Sequence, residues 1–208
     1  VTVSNVTAPA VTSATYDATT GVLVVTGTHF SSLSGAANDV DISTMTLTGE
    51  AGNTYTLTSA TDVDISSATQ VSVTLSGADK THVDGLLNKN GTSSDDATTF
   101  NLAVADDWMA GAASTTDIAD ATNGVTVSNV TVPTITSATY DGTSGTLVVT
   151  GTNLRNLSGA TNDVDLSKLT LSGQGAGTYT LTSDAIEITD ATSFTLVLNA
   201  TDQSNLAV

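Results

Sequence analysis

Polar and apolar residues alternate over short stretches of the chain, which is the pattern of half-buried strands. The first two predicted strands are joined by a tight turn, since Asp17 and Gly21 are residues that favour turns. We expect the strands to be antiparallel and to turn one face toward a core. The predicted strands cover residues 11–17, 21–28, 45–49, 54–59 and 70–75. The predicted core residues are Val24, Leu47, Leu57 and Val73.

A helical spacing interrupts this pattern once. Val83, Leu86 and Leu87 lie at positions i, i+3 and i+4, which predicts a short helix over residues 79–88, with Gly91 as its stop. Strand-like alternation then returns. The strands predicted after the helix cover residues 98–108, ending at Trp108 as a core anchor, and residues 123–130.

The sequence repeats itself. Residues 1–59 match residues 125–183 at about two-thirds of positions, and the offset between the copies falls from 124 to 123 beyond Ser59. This period exceeds the roughly 20–50 residues of a solenoid unit and has the size of a small domain. The sequence therefore predicts tandem copies of one domain. The predicted boundaries are residues 1–7 for the last strand of a preceding repeat, 8–131 for the first repeat and 132–208 for a second, truncated repeat.

The second copy repeats the predicted core and begins directly after the first. Its expected core residues are Val148, Leu171, Leu181 and Leu196. Pro133 restricts the backbone between the last strand of the first copy and the next strand. No Gly/Ser-rich linker separates the copies, so we expect them to lie end to end with little freedom.

Acidic residues dominate the charge of the chain. There are 21 Asp and Glu residues against four Lys and Arg, giving a formal net charge of −17. Such a surface repels nucleic acids and anionic lipid, so neither is an expected partner. The charge fits solubility and mutual repulsion between neighbours, and it also fits binding of divalent cations. The chain contains no cysteine and no apolar run long enough to cross a membrane, so we expect no disulfide, no thiol chemistry and no membrane insertion.

The duplication provides a test for catalytic residues, because a site that the domain needs should occur in both copies. His29 is replaced by Asn153 and His82 by Asn205, so we interpret both histidines as surface residues. No nucleophile and base recur together, and no phosphate-binding glycine motif follows a strand. The sequence therefore indicates a protein that is not an enzyme.

Aspartates that recur in both copies are the best candidates for a metal site. Asp39 and Asp41 form a D-x-D pair that recurs as Asp163 and Asp165. In an extended segment both carboxylates would share one face and supply part of a calcium site. The alternative is an Asx-type turn that caps the following turn without metal. Asp120, near the junction, is a further candidate cation ligand in an acid-rich segment.

Several longer strings resemble known families. Residues 133–154, PTITSATYDGTSGTLVVTGTNL, resemble the opening of an immunoglobulin-like IPT/TIG domain. Residues 164–183, 86–108 and 121–130 resemble a repeat of very large bacterial surface proteins, the RTX-type adhesins and other β-strand-repeat proteins. The resemblance implies an all-β fold of tandem antiparallel Ig-like β-sandwiches, with a short helix in each complete repeat. It also implies that calcium stiffens the array, although the glycine-rich RTX nonapeptide is absent.

These observations predict a non-catalytic extender in an extracellular protein of the bacterial cell surface, such as an adhesin stalk, a filament or a surface-layer element. Its expected partners are neighbouring repeats of the same protein. Two alternatives stay open. One is a fibre subunit that other copies of itself complete by strand exchange, since residues 1–6 match a last strand. The other is a glycan-binding module, which needs an exposed aromatic residue beside a polar cleft.

Overall fold

The chain folds into two compact units rich in β-strand, residues 1–131 and 132–208. The structure is a computed structural model and describes residues 6–35, 37–58, 61–157, 159 and 161–206. Most of the strand predicted at residues 1–7 therefore lies outside the described residues. No helix in the described part of the chain is long and apolar enough to span a membrane.

Unit 1 is built on a curled, mixed sheet of seven strands in the order β4-β3-β6-β7-β1-β2-β5. One helix, α1 (Gly77–Leu86), follows β5, close to the predicted helix. Short 3-10 turns lie at Ile42–Thr44 and Glu50–Gly52. The strands are β1 (Ala10–Asp17), β2 (Val22–Thr28), β3 (Met45–Thr48), β4 (Thr54–Thr56), β5 (Gln70–Thr74), β6 (Asn101–Val104) and β7 (Asp120–Ser128).

The expectation of antiparallel strands is wrong for one pair. β1 and β7 run parallel, with Ala14 opposite Val125 and Asp17 opposite Ser128. The other neighbouring strands of this sheet are antiparallel. A hairpin turn forces two strands to be antiparallel, but β1 and β7 are the first and last strands of the unit and no hairpin sets their direction.

Both predicted hairpins of unit 1 form. The Gly21 amide donates to the Asp17 carbonyl at 2.8 Å, and the Asp17 carboxylate accepts the amides of Thr19 and Thr20, each at 3.0 Å. Gly21 has a φ of +72°, a conformation that favours glycine. In the second hairpin the Gly49 amide donates to the Asn53 carbonyl at 3.0 Å.

The core of unit 1 surrounds Trp108, as predicted. This side chain is fully buried, its indole N–H donates to the Ile118 carbonyl at 2.9 Å, and Phe30 packs edge-to-face against it at 5.3 Å. Leu47, Leu57 and Val73 are buried, which confirms their predicted positions.

Val24 is the one incorrect core prediction in unit 1. It is only half-buried, whereas its neighbours Leu23 and Val25 face the core. The four residues 22–25 are all apolar, so the alternation that distinguishes the two faces of a strand is missing there.

Unit 2 has a three-stranded sheet in the order β12-β9-β8 and a separate two-stranded ribbon. The core prediction is wrong at Val148, which is half-buried like Val24. Leu181 is buried, as predicted, and Leu171 and Leu196 pack against the core while only partly buried. The elements are β8 (Thr134–Asp141), β9 (Thr146–Thr152), β10 (Thr170–Ser172), β11 (Thr178–Thr180), β12 (Ser193–Val197) and α2 (Ala200–Leu206), with 3-10 turns at Leu166–Lys168 and Gln174–Ala176.

Candidate functional site

The loop that carries the first D-x-D pair is tied down by its first aspartate. Asp39 is 1% exposed, and its two carboxylate oxygens accept different backbone amides: Oδ1 from Leu33 at 2.6 Å and Oδ2 from Ile65 at 2.7 Å. Asp64 accepts the amide of Asn38 at 3.0 Å, which adds a second acidic contact to the same loop. Hydrogen bonds to an ionised carboxylate are among the stronger ones in proteins, so these contacts fix the loop on the core.

The matching loop of unit 2 uses the same contacts. Asp163 accepts the amides of Leu157 and Ile188, each at 2.6 Å. Glu187 replaces Asp64 and accepts the amides of Thr161 at 2.5 Å and Asn162 at 3.3 Å. Glu187 therefore holds this loop by accepting backbone amides, as Asp64 does in unit 1.

The second aspartate of each pair caps a short 3-10 turn. Asp41 accepts the Ser43 amide at 2.9 Å and the Ser43 hydroxyl at 2.6 Å. Asp165 accepts the same two groups of Ser167, at 3.0 Å and 2.6 Å. These bonds from Ser167 hold the pKa of the Asp165 carboxyl below its usual value. This is the Asx-type cap that the sequence left open as the alternative to calcium.

In each pair the first aspartate is less exposed than the second. Asp39 is buried, whereas Asp41 is exposed and caps the 3-10 turn that begins at Ile42. In the described part of the chain, no three His, Asp or Glu side chains are grouped so that they could hold a metal ion. Asp120 begins β7 and accepts the Thr122 amide at 3.3 Å. Calcium at these residues stays a prediction.

The hydrogen bonds predict that substituting Asp39 and substituting Asp41 lower the free energy of unfolding by different amounts. In Asp39→Asn the new amide group cannot accept one of the two backbone N–H donors, so we expect a loss of about 1–3 kcal/mol in the free energy of unfolding. In Asp41→Asn the cap is kept, because Asn caps about as well as Asp, and we expect a change within about 0.5 kcal/mol. Chemical denaturation of the two variants measures both values. Equal losses would contradict the different roles.

Thermal unfolding with and without calcium tests the predicted metal site. A ligand that binds only the folded state at a hundredfold excess over its Kd adds about 2.7 kcal/mol. A calcium-dependent rise in the melting midpoint that disappears in Asp41→Asn/Asp165→Asn would assign calcium to these loops. An equal midpoint in calcium and in chelator would leave the aspartates as caps and loop ties.

A second pair of acids recurs in both units and was missed by the sequence reasoning. Asp79, on α1, is fully buried, and its Oδ1 accepts the Tyr55 hydroxyl at 2.9 Å, the Thr58 amide at 2.9 Å and the Thr58 hydroxyl at 3.1 Å. The offset of 123 aligns Asp79 with Asp202, so the duplication carries the signal. The neighbouring Lys80 and Asp84 make this segment look like a solvated helix surface, which hid it.

Asp202 binds the corresponding groups in unit 2. It is fully buried and accepts the Tyr179 hydroxyl at 2.8 Å, together with the amides and hydroxyls of Thr182 and Ser183 at 2.6–3.1 Å. Burial raises the pKa of this carboxyl, but the bonds from Ser183 and Thr182 outweigh burial and bring the pKa to about 2. The carboxylate therefore contributes fully to stability at a pH above 3.8, the usual pKa of an aspartate, and this contribution is lost as the pH falls toward 2.

His82 lies beside this cluster and corrects one expectation. It is half-buried and its ring stacks on Tyr55 at 4.3 Å, so only His29 is an exposed surface residue. Burial raises the pKa of Tyr55. The His82 Nδ1 atom is buried without a hydrogen-bond partner. Asn205 takes the place of His82 in unit 2 and donates to the Tyr179 hydroxyl at 3.4 Å, so the cluster forms without a histidine.

One groove opens beside the corresponding cluster of unit 2. It encloses about 430 Å³ and is lined by residues of β10, β11 and α2, among them Leu171, Gly173, Tyr179 and Leu206. In unit 1 the same side is filled: β6 pairs along β3, and the Leu86 carbonyl lies against Gly49. The groove of unit 2 therefore corresponds to a region that β6 and the end of α1 cover in unit 1.

Comparison of the chain with family models, with curated proteins and with solved structures finds no match in any of the three.

Proposed function

We propose that the chain is a structural extender of an extracellular bacterial surface protein, built from tandem Ig-like β-sandwich repeats and without catalytic activity. The observation that carries this proposal is the use of the recurring acids. The carboxylates of four recurring acids accept hydrogen bonds from backbone amides and from hydroxyls of their own unit. These acids are Asp39, Asp79 and their counterparts Asp163 and Asp202. What the two copies keep in common is the bonding that holds loops onto a core.

Such bonding suits a protein whose task is to keep its shape. Loops are usually the mobile part of a β-domain, and here charge-assisted bonds tie the long loop between β2 and β3 at two acids. The remaining acids lie largely on the surface and contribute to the net charge of −17. Like charge keeps neighbouring molecules apart, which favours contacts between successive repeats of one chain over aggregation. We propose neighbouring repeats as its partners.

The rival functions are tested by activity and binding. The purified chain is screened against broad hydrolase and transferase substrates and against a glycan array, with His82→Asn as the matched variant. This substitution gives unit 1 the residue that unit 2 has, so we expect the two proteins to behave alike and to show neither turnover nor glycan binding. A turnover or a glycan signal that His82→Asn abolishes without lowering the melting midpoint would overturn the extender.

A further inference from the structure

The first and last strands of unit 1 lie side by side and run in the same direction. β1 and β7 pair in parallel through residues 14–17 and 125–128. In the described part of the chain, residues 6–9 before β1 and residues 129–133 after β7 belong to no strand or helix. Tension along the chain therefore enters unit 1 at the start of β1 and leaves it at the end of β7.

This arrangement places the β1–β7 pair in shear. Tension pulls β1 toward its own N-terminal end and β7 toward its own C-terminal end. Because the strands are parallel, the two pulls are opposite along one axis, and the hydrogen bonds between the strands are loaded together. In an antiparallel pair the start of one strand lies beside the end of the other, so the same tension would open the bonds one after another.

The core and a further contact hold the β1–β7 pair in place. Ala14 and Tyr16 on β1 are each 1% exposed, and Val125 and Val127 on β7 are 0% and 3% exposed. Sliding the strands apart therefore exposes apolar surface as well as breaking hydrogen bonds. On the other edge of β7, the Val127 amide donates to the Gly91 carbonyl at 2.7 Å, and the Gly91 amide donates to the Val127 carbonyl at 2.9 Å. β7 is thus held along both edges.

Side chains also hold the segment that follows β7. The Asn129 side-chain amide donates to Asp17 Oδ2 at 2.7 Å, and the Thr19 hydroxyl donates to the Asn129 carbonyl at 2.9 Å. The Val130 amide donates to Asn90 Oδ1 at 2.9 Å. A pull on the chain beyond β7 therefore acts on the turn after β1 and on the loop after α1, as well as on the end of β7.

We propose that unit 1 bears tension applied along the chain, and that the parallel β1–β7 pair is the element that resists it. Forced unfolding is governed by the rate of unfolding, so this resistance depends on the direction of the pull as well as on the free energy of unfolding. The inference goes beyond the extender role and does not rest on it, because it depends only on the strand order within unit 1.

Single-molecule pulling in two directions tests the proposal. The chain has no cysteine of its own, so two introduced cysteines define the attachment points. Ala8→Cys/Val132→Cys loads the β1–β7 pair in shear, whereas Thr20→Cys/Val132→Cys pulls on the turn after β1 and peels the two strands apart from one end. All three positions are exposed, and residues 133–208 lie outside the stretched segment in both proteins. We expect the unfolding force to be about threefold higher in shear at the same pulling speed. Equal forces would overturn the proposal.

Two matched substitutions in the Ala8→Cys/Val132→Cys protein test which strands carry the load. Val127→Ala and Val71→Ala remove the same atoms from side chains that are each 3% exposed, but Val71 lies on β5, which pairs with β2. Val127→Ala should lower the unfolding force by about a quarter, whereas Val71→Ala should leave it near the original value. Equal losses from the two substitutions would reject the β1–β7 pair as the resisting element. Neither result bears on how successive repeats are arranged or on catalysis.

Discussion

The substitution Asp79→Ala is expected to lower the free energy of unfolding of unit 1 by about 3–5 kcal/mol. It leaves the half-buried Tyr55 hydroxyl and the amide and hydroxyl of Thr58 without the carboxylate that accepts all three hydrogen bonds. Each buried donor without a partner costs about 1–3 kcal/mol. A domain is stable by only about 5–15 kcal/mol in total, so this loss leaves unit 1 marginal. Native-state hydrogen exchange measures it, since the slowest amides of β3 and β4 report the opening of unit 1.

The control for Asp79→Ala is Asp62→Ala, which removes the same charge from an exposed loop. We expect a change within about 0.5 kcal/mol from this control. Asp202→Ala should accelerate exchange in unit 2 and spare unit 1, because Asp202 bonds to Tyr179, Thr182 and Ser183 of unit 2. If Asp79→Ala and Asp62→Ala had the same effect, the buried acid would not hold its unit together.

Gly49→Ala is expected to destabilise unit 1, whereas the same change at Gly173 should be tolerated. A Cβ at residue 49 would lie 2.2 Å from the Leu86 carbonyl oxygen and 2.7 Å from its carbon. These are backbone atoms at the end of α1, so the helix or β3 must move. Overpacking of this kind typically costs about 1–3 kcal/mol, and we expect the upper end of that range because a backbone cannot change rotamer.

The comparison between the two glycines is well matched. Gly49 and Gly173 follow equivalent strands, and a Cβ at residue 173 meets nothing within 4 Å. We expect Gly173→Ala to change the free energy of unfolding by less than about 0.5 kcal/mol, the usual size for a surface substitution. Hydrogen exchange in each unit reads the two effects separately. A large loss from Gly173→Ala, or none from Gly49→Ala, would contradict the packing of α1 on β3.

Local pattern predicted much of the secondary structure. The hairpin closed at Gly21, the helix near Val83 and the burial of Trp108 each follow from a few neighbouring residues. Prediction from local pattern failed where the alternation of polar and apolar residues is missing, as at Val24. It also failed where the structure depends on contacts between residues distant in sequence. The parallel pairing of β1 and β7 joins strands about 110 residues apart, and no local spacing encodes a direction between them.

The candidate site was predicted in part for the same reason. The duplication identified Asp39 and Asp41, but a D-x-D spacing does not show that Asp39 is buried and Asp41 exposed. Asp79 recurs as plainly as Asp39, yet on a helix with charged neighbours its burial depends on Tyr55 and Thr58, more than twenty residues earlier. Recurrence selects the residue, and only the tertiary contacts show what it binds.

The most direct test of the extender is the growth of length with copy number. Small-angle scattering is measured on arrays of one, two, three and four copies of residues 8–131, with the natural junction at Pro133 kept between copies. We predict that the largest dimension increases by the same step with every added copy, as the proposed extender requires. A largest dimension that grows only as the cube root of mass, as for a compact cluster, would contradict it.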